Sequence, residues 1–131
     1  MIVVVAAAIV DGRPPRVLAA QRSYPPELAG FWELPGGKVD HGEGELEALA
    51  REVREELDVE IVVGDRLGDD VPIVGGDGVL RVWWTRLAAG QPRAVEHAQV
   101  RWISRSDAAE LAWLPSDGPI VAALLDGWPV D

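Results

Sequence analysis

The sequence predicts an α/β fold in which a mixed β-sheet lies between α-helices. Three observations favour it: short apolar runs bounded by Gly and Pro, one central amphipathic helix, and two short helices near the C-terminal end. Strands that precede and follow a central helix are typical of a sheet covered on both faces. With 131 residues, 48% of them apolar, the chain is expected to form one domain spanning residues 1–131.

The apolar runs predict the strands. The run at 2–10 is almost wholly apolar and is separated by DGRPP, a turn by composition, from the run at 16–22. A shorter extended piece, FWELP at 31–35, ends at a Pro-Gly-Gly turn, and GGDG at 75–78 is typical of a hairpin turn. The predicted strands are 2–10, 16–22, 59–67, 79–87 and 100–105.

Helical periodicity and capping residues predict three helices. Between Glu45 and Leu57, apolar residues recur every three or four positions, as on the buried face of a helix. The second predicted helix is 106–114, with Ser106 as its N-cap. The third is 117–127, where Asp117 is the candidate N-cap and Gly127 the stop.

The charge balance limits the partners. The net charge of −10 repels nucleic acid and anionic membranes, so neither a polymeric nucleic acid nor a membrane is expected as a partner. A small anionic substrate is compatible with that charge when a metal ion carries positive charge into the site. The first apolar run is too short to span a bilayer and lacks the basic segment of a signal peptide, so a cytoplasmic location is expected. The absence of Cys excludes a thiolate metal site and a Cys nucleophile.

Acidic residues are concentrated on the central helix. Eight of the 22 acidic residues fall between Glu43 and Glu60. Glu52, Glu55 and Glu56 share one face, and the like-charge pair of Glu52 with Glu56 costs a few tenths of a kcal/mol. No basic residue is expected within that arc, so a divalent cation such as Mg²⁺ would relieve the repulsion. The alternative is the solvated face of a Glu-rich helix.

A glycine turn and the only Lys of the chain come directly before this helix. Gly36 and Gly37 permit a tight turn, and the compact ammonium of Lys38 suits a phosphate oxygen. The alternative is a plain surface turn.

The segment GKVDHGEGELEALAREVREELDV at 37–59 resembles the Nudix box. Eight positions match that motif, and one departs from it, because Asp58 stands where the family has Gly. The family Gly would end the helix in a left-handed conformation, which Asp tolerates better than most residues. We therefore expect a slightly strained helix end and a retained activity.

The order of elements along the chain resembles the MutT branch of the Nudix family. That resemblance implies the Nudix fold and a hydrolase that splits a nucleoside triphosphate into a monophosphate and diphosphate, in clearing the nucleotide pool. It implies Mg²⁺, with Mn²⁺ as a substitute. The implied metal ligands and catalytic residues are the carbonyl of Gly36, the carboxylates of Glu52, Glu55 and Glu56, and Arg51 as the residue that orients them, with Glu43 nearby.

The resemblance also places a fourth acid in the loop before the last strand. Glu96 is at that position, where it would ligate a second metal ion or take a proton from the attacking water. The alternative is an ordinary surface Glu. The two His residues, His41 and His97, are interpreted as ordinary loop residues.

Three residues are candidates for substrate binding. Arg22 and Lys38 would contact phosphate or sugar. Asp117 stands where the MutT branch has a base-reading Asn, and an ionised Asp only accepts hydrogen bonds. Cytosine offers an amino donor to such an acceptor, so CTP, dCTP or a 5-substituted dCTP is the expected substrate. The alternative for Asp117 is a helix cap alone.

Other interpretations stay open. These are an 8-oxo-dGTP diphosphatase, a hydrolase of ADP-ribose or a dinucleotide, and a non-catalytic module that senses a nucleotide; such modules usually lose a box Glu, and this chain retains all of them. One or two of the six Trp residues would suit base stacking, and the rest are expected to pack structurally. The sequence does not decide between monomer and homodimer, or between ribose and deoxyribose.

Overall fold

The computed structural model describes residues 1–73 and 75–130. Within them, seven strands form one mixed sheet with three α-helices, which confirms the expected fold class. A 3₁₀ turn at Pro115–Asp117 precedes the last helix. The elements are β1 Ile2–Asp11, β2 Arg16–Gln21, β3 Trp32–Glu33, β4 Gly36–Lys38, α1 Glu45–Leu57, β5 Glu60–Pro72, β6 Gly78–Ala89, β7 Gln99–Ile103, α2 Arg105–Glu110 and α3 Gly118–Asp126.

Strand β1 is the centre of the sheet. The strand order is β3-β2-β1-β6-β5, with β4 also paired to β1 and β7 to β2. The β1–β6 pair is parallel, and the other strand pairs are antiparallel. Because β1 is covered on both faces, it carries a continuous apolar sequence, as expected for a central strand.

Each face of the sheet carries its own apolar core. On one face, α1 buries Leu49, Val53 and Leu57 completely against β1. On the other face, α3 buries Ile120 and Leu124. Short Ala side chains along β1 let both helices approach the sheet closely. No helix in the described ranges combines the length and hydropathy needed to cross a membrane.

Helix α1 begins and ends where its periodicity predicts, but two other predictions were wrong. The glycine turn at 36–37 is part of a strand, β4, because this segment pairs with Val4–Ala6 of β1. Helix α2 covers only Arg105–Glu110, and its N-cap is Ser104 instead of Ser106. The chain beyond α2 bonds to β3, since the backbone N–H of Trp32 donates to the carbonyl of Ala112 at 2.9 Å, and this contact replaces further helical turns.

Candidate active site

The site is assembled where β4 crosses the C-terminal half of α1. A Cβ atom at Gly36 would collide with the carbonyl oxygen of Val5, and one at Gly37 would collide with the carboxylate of Glu52. Gly36 is therefore required for the strand to lie against β1, whereas a side chain at Gly37 would displace the carboxylate of Glu52. This close approach brings the backbone of β4 against the acidic face of α1.

Glu56 is the buried carboxylate of this crossing. Its exposed fraction is 8%, and its Oε1 accepts a hydrogen bond from the backbone N–H of Gly36 at 3.0 Å. Burial raises the pKa of Glu56 to about 7, and the charges of Glu33 and Glu52 act in the same direction. The opposing charge of His97 and the Gly36 hydrogen bond do not compensate. Glu56 is thus a buried acid held in a negative environment.

The guanidinium of Arg51 binds three further carboxylates, that of Glu43 before the helix and those of Glu52 and Glu55 within it. Its guanidinium donates two short hydrogen bonds to Glu43, at 2.7 and 2.9 Å, and one to the backbone carbonyl of Lys38 at 3.1 Å. The same guanidinium reaches Glu52 at 2.9 Å and Glu55 at 3.3 Å. The expectation that no basic residue relieves the acidic arc was therefore wrong, because the Arg51 side chain extends along the helix into it.

These contacts and burial shift the pKa values of carboxylates around Arg51. The hydrogen bond from Arg51 lowers the pKa of Glu43 to about 2. Burial raises the pKa of Glu52 despite its bond to Arg51. Glu55 is half-exposed and contacts only Arg51. Within residues 1–73 and 75–130, no three acidic or histidine side chains converge closely enough to form a ready-made metal site.

Asp58 ends helix α1 in the left-handed conformation, as its place in the motif predicts. It has φ of 59° and ψ of 41°, and among the described residues no other residue except glycine has a positive φ. Its carboxylate lies 3.4 Å from the guanidinium of Arg93, with both side chains largely exposed. The Asp at this position therefore keeps the helix end that Gly would give.

A cavity of about 350 Å³ opens beside the crossing. Its polar wall includes Arg22, Lys38, Glu56 and Asp117, together with the backbone of β4. Its other wall is aliphatic. None of the described residues that line it is aromatic, so the expectation that a Trp stacks the base has no support in this cavity; Trp84 lines a separate cavity near Pro129. The aliphatic wall comprises Val4, Val5, Ala6, Leu34, Val71, Pro72, Ile73, Leu80, Val82 and Ile120.

Asp117 faces this cavity from the N-terminal end of α3. It occupies the N-cap position, yet its side chain makes no capping hydrogen bond. Burial and the negative charge of Glu33 raise the pKa of Asp117 to about 6, while the charge of Arg22 opposes them. Asp117 therefore occupies the predicted N-cap position without the capping hydrogen bond expected there, and its carboxylate is left for another partner.

Glu96 lies at a small adjoining cleft of about 30 Å³, which it shares with Arg22 and Glu56. Glu33, which the sequence did not single out, lies there together with His97. The interpretation of His97 as an ordinary loop residue was wrong, because its side chain is 5% exposed and pairs with Glu33. Glu33 accepts from Arg22 at 3.1 Å and pairs with Nε2 of His97 at 2.8 Å. Burial alone would lower the pKa of His97, but the Glu33 hydrogen bond and the charges of Glu56 and Glu33 outweigh it and raise that pKa.

The structure thus gathers most of the candidate residues, but not all of them. Arg22 and Glu56 line both the cavity and the cleft, Gly36, Lys38 and Asp117 line the cavity, and Glu96 lines the cleft. Glu52 and Glu55 line neither and stay on Arg51. Glu33 and His97 are 64 positions apart, and no sequence signal links them.

Comparison with known proteins finds a family model that matches most of this chain. The model of the NUDIX domain matches residues 1–124. A Mycobacterium tuberculosis protein named "Putative 8-oxo-dGTP diphosphatase 2" is 48% identical over 125 residues, which cover 93% of this chain and 86% of that protein. The Escherichia coli protein named "CTP pyrophosphohydrolase" is 36% identical over 122 residues, covering 92% of this chain and 90% of that protein.

A solved structure agrees with the whole fold. The crystal structure of a MutT NUDIX hydrolase from Burkholderia pseudomallei superimposes with a TM-score of 0.76 and 31% identity. The match covers 97% of each chain.

Proposed function

Since this chain belongs to the Nudix family of hydrolases, we propose that it is a metal-dependent pyrophosphohydrolase that converts a nucleoside triphosphate into a monophosphate and diphosphate. One observation carries the proposal: the buried Glu56 faces a cavity that also holds the cationic side chains of Arg22 and Lys38. The polar wall of this cavity offers cationic side chains for the oxygens of a triphosphate and carboxylates for a metal ion. We also propose that residues 1–131 act as one domain.

The donor set fits a hard divalent cation such as Mg²⁺ or Mn²⁺. Burial raises the pKa of Glu52 and of Glu56, so ionising either carboxylate is costly and a bound cation would offset that cost. Carboxylate and carbonyl oxygens are the ligands that such ions prefer. We propose that Gly36, Glu52, Glu55, Glu56 and Glu96 supply these oxygens, with Glu52 and Glu55 turning from Arg51 toward the cavity.

The bound metal would neutralise charge on the phosphate oxygens and favour the ionised form of the attacking water. The protein positions the phosphate oxygens and the metal-binding carboxylates. Arg22 and Lys38 bind phosphate oxygens, and Arg51 keeps the carboxylates of α1 oriented. Glu96 is placed to receive the proton of the water or to ligate a second ion, and either role makes it necessary for turnover.

Cytosine nucleotides are the proposed substrates. Asp117 lines the cavity and lacks a capping bond, so its carboxylate is available to accept a hydrogen bond from the amino group of cytosine. The E. coli relative carries the name of a CTP pyrophosphohydrolase. The aliphatic wall suits the flat, apolar face of a base.

An 8-oxo-dGTP diphosphatase is the second candidate. The observation that favours it is the printed name of the M. tuberculosis relative, which shares more residues with this chain than the E. coli relative does. Against this candidate, an ionised Asp117 would place its negative carboxylate opposite the carbonyl oxygen of a guanine.

A panel of nucleotides tests the proposal. We would measure diphosphate release with Mg²⁺ from CTP, dCTP, 5-methyl-dCTP, 8-oxo-dGTP, ADP-ribose and a dinucleoside tetraphosphate. The account predicts that kcat/KM for a cytosine nucleotide exceeds that for 8-oxo-dGTP by at least about tenfold. Cleavage of ADP-ribose alone would instead favour the hydrolase of diphosphate-linked nucleosides. Nucleotide binding without cleavage would favour the sensing module.

A further inference from the structure

We infer that His97 is a positioning residue whose buried hydrogen bond to Glu33 aims Glu96 at the catalytic cleft. The inference depends on the proposed role of Glu96, but its structural part, the anchoring of one loop, does not. Glu96 and His97 belong to the segment 90–98, which connects β6 to β7, and Glu33 lies in β3.

The first observation is the burial of the His97 side chain next to exposed loop residues, since 93–96 and Ala98 are all exposed. The side chain of His97 is 5% exposed, whereas Glu96 beside it is exposed. Successive side chains therefore point to opposite sides of the backbone. The imidazole is inserted into the protein, and the carboxylate of Glu96 is left at the mouth of the cleft.

The second observation is the partner of that imidazole. Nε2 of His97 lies 2.8 Å from Oε2 of Glu33, and the other carboxylate oxygen, Oε1, accepts from Arg22 at 3.1 Å. Glu33 thus links the loop to a residue that lines both the cavity and the cleft. A buried hydrogen bond to a charged group is worth more than an exposed one, and losing one partner leaves the other unsatisfied.

The third observation is that backbone hydrogen bonds hold the segment on both sides of the Glu96–His97 pair. The N–H groups of Arg93 and Val95 donate to carbonyls at the end of α1, at 2.9 and 3.2 Å, and the N–H of Ala98 donates to Gln21 at 2.9 Å. Glu96 itself is held by its carbonyl, which accepts from the hydroxyl of Ser23 at 3.2 Å. That hydroxyl contact is exposed, so the His97–Glu33 bond is the buried contact that orients this turn.

This arrangement couples three elements that the chemistry uses. Arg22 follows β2, Glu33 lies in β3, and Glu96 lies in the loop before β7. His97 joins them through one carboxylate. Nδ1 of His97 is buried and makes no hydrogen bond with the described residues, so Glu33 is the partner that fixes the ring.

His97→Phe tests the inference because it keeps a ring of similar size and removes the donor. We expect amide exchange in 93–98 to accelerate by about tenfold and kcat to fall by about tenfold with KM within about threefold. His97→Gln, which retains an amide donor, should recover most of both losses. His41→Phe is the matched control, since His41 is the other His of the chain and is exposed, and it should change neither quantity.

The double variant of His97→Phe with Glu96→Gln distinguishes a failure of this inference from a failure of the proposed role of Glu96. If His97 acts through Glu96, His97→Phe costs no further kcat in the Glu96→Gln background. Losses of kcat that multiply in the double variant would overturn the inference, and so would unchanged amide exchange in 93–98 of the His97→Phe protein. Full activity of Glu96→Gln alone would instead refute the proposed role of Glu96, while the exchange data would still report on the anchor. If His97→Phe does not fold, His97→Leu, which also lacks a donor, supplies the same comparison with His97→Gln.

Discussion

The backbone N–H of Gly36 donates to the buried carboxylate of Glu56 at 3.0 Å, and this contact joins β4 to the last turn of α1. Gly36 has no side chain to collide with the backbone of β1, and Gly37 has none to displace the carboxylate of Glu52, so β4 can lie against both β1 and the helix. The contact fixes an acid whose pKa is raised to about 7 beside the cavity. The predictions below follow from this and neighbouring contacts.

Removing the charge of Glu56 should abolish turnover without unfolding the protein. Glu56→Gln keeps the acceptor for the Gly36 N–H but removes a metal-ligand charge. We expect kcat to fall by at least about a hundredfold, about 2.7 kcal/mol, and a chelator to stop the wild-type reaction. Steady-state kinetics with Mg²⁺ and circular dichroism check this, and near-normal turnover by the variant would refute the metal-site assignment.

The same substitution should stabilise the metal-free protein at alkaline pH. Below the ordinary pKa of 4.5, Glu56 is protonated in both states and has no effect. As pH rises from 4.5 to about 7, the unfolded chain releases its proton first, so the free energy of unfolding decreases. Glu56→Gln should therefore be more stable than wild type at pH 8 by about 1–3 kcal/mol, and equally stable at pH 4.5.

Urea unfolding in a chelator at both pH values measures this difference. The half-exposed Glu55 gives the control, because Glu55→Gln should change stability by no more than about 0.5 kcal/mol. A Glu56→Gln protein that is less stable than wild type at pH 8 would show that the buried carboxylate stabilises the fold.

The choice of base should depend on pH through Asp117. Above its pKa of about 6 the carboxylate only accepts hydrogen bonds, whereas below it the protonated form also donates, as a guanine carbonyl requires. We expect the ratio of kcat/KM for CTP to that for 8-oxo-dGTP to fall as pH is lowered from 8 to 5.5. Asp117→Asn should reduce the ratio and make it independent of pH. An unchanged ranking of bases in the variant would remove Asp117 from base recognition.

Restoring glycine at the end of α1 should not harm the protein. Asp58→Gly relieves the cost of a left-handed residue, about 1 kcal/mol, and loses only the exposed contact with Arg93. We predict equal or higher stability in urea and kcat within about twofold of wild type. Arg93→Ala is the control for the lost contact. A clear loss of stability in Asp58→Gly alone would mean that the Asp58 side chain contributes more than its backbone conformation costs.

Local patterns predicted much of the fold. Helix α1 was predictable to its ends, because Leu49, Val53 and Leu57 repeat at helical spacing and the Asp58 position marks its stop. The pairing of β4 was not, since a three-residue strand with two glycines has no local signature. Its strand character comes from contacts with β1 and α1 that are distant in the sequence. The shortened α2 has the same kind of cause, the contact of Trp32 with the chain after the helix.

The candidate site was predictable where the motif covers it. The motif placed Arg51 and the helix carboxylates, but not the reach of the Arg51 guanidinium, which depends on its rotamer. Glu33 and His97 could not be linked, because a strand residue and a loop residue far apart in the sequence meet only in the folded chain. The missing cap bond of Asp117 likewise depends on the 3₁₀ turn before α3.

Product analysis of CTP hydrolysis tests the central claim most directly. Wild-type protein would be incubated with CTP and Mg²⁺, with Glu56→Gln and a chelator as parallel controls, and the nucleotides separated by anion exchange. The account predicts CMP and diphosphate in equal amounts, formed only by the wild type with metal. Formation of CDP and phosphate, or turnover that persists without metal, would contradict it.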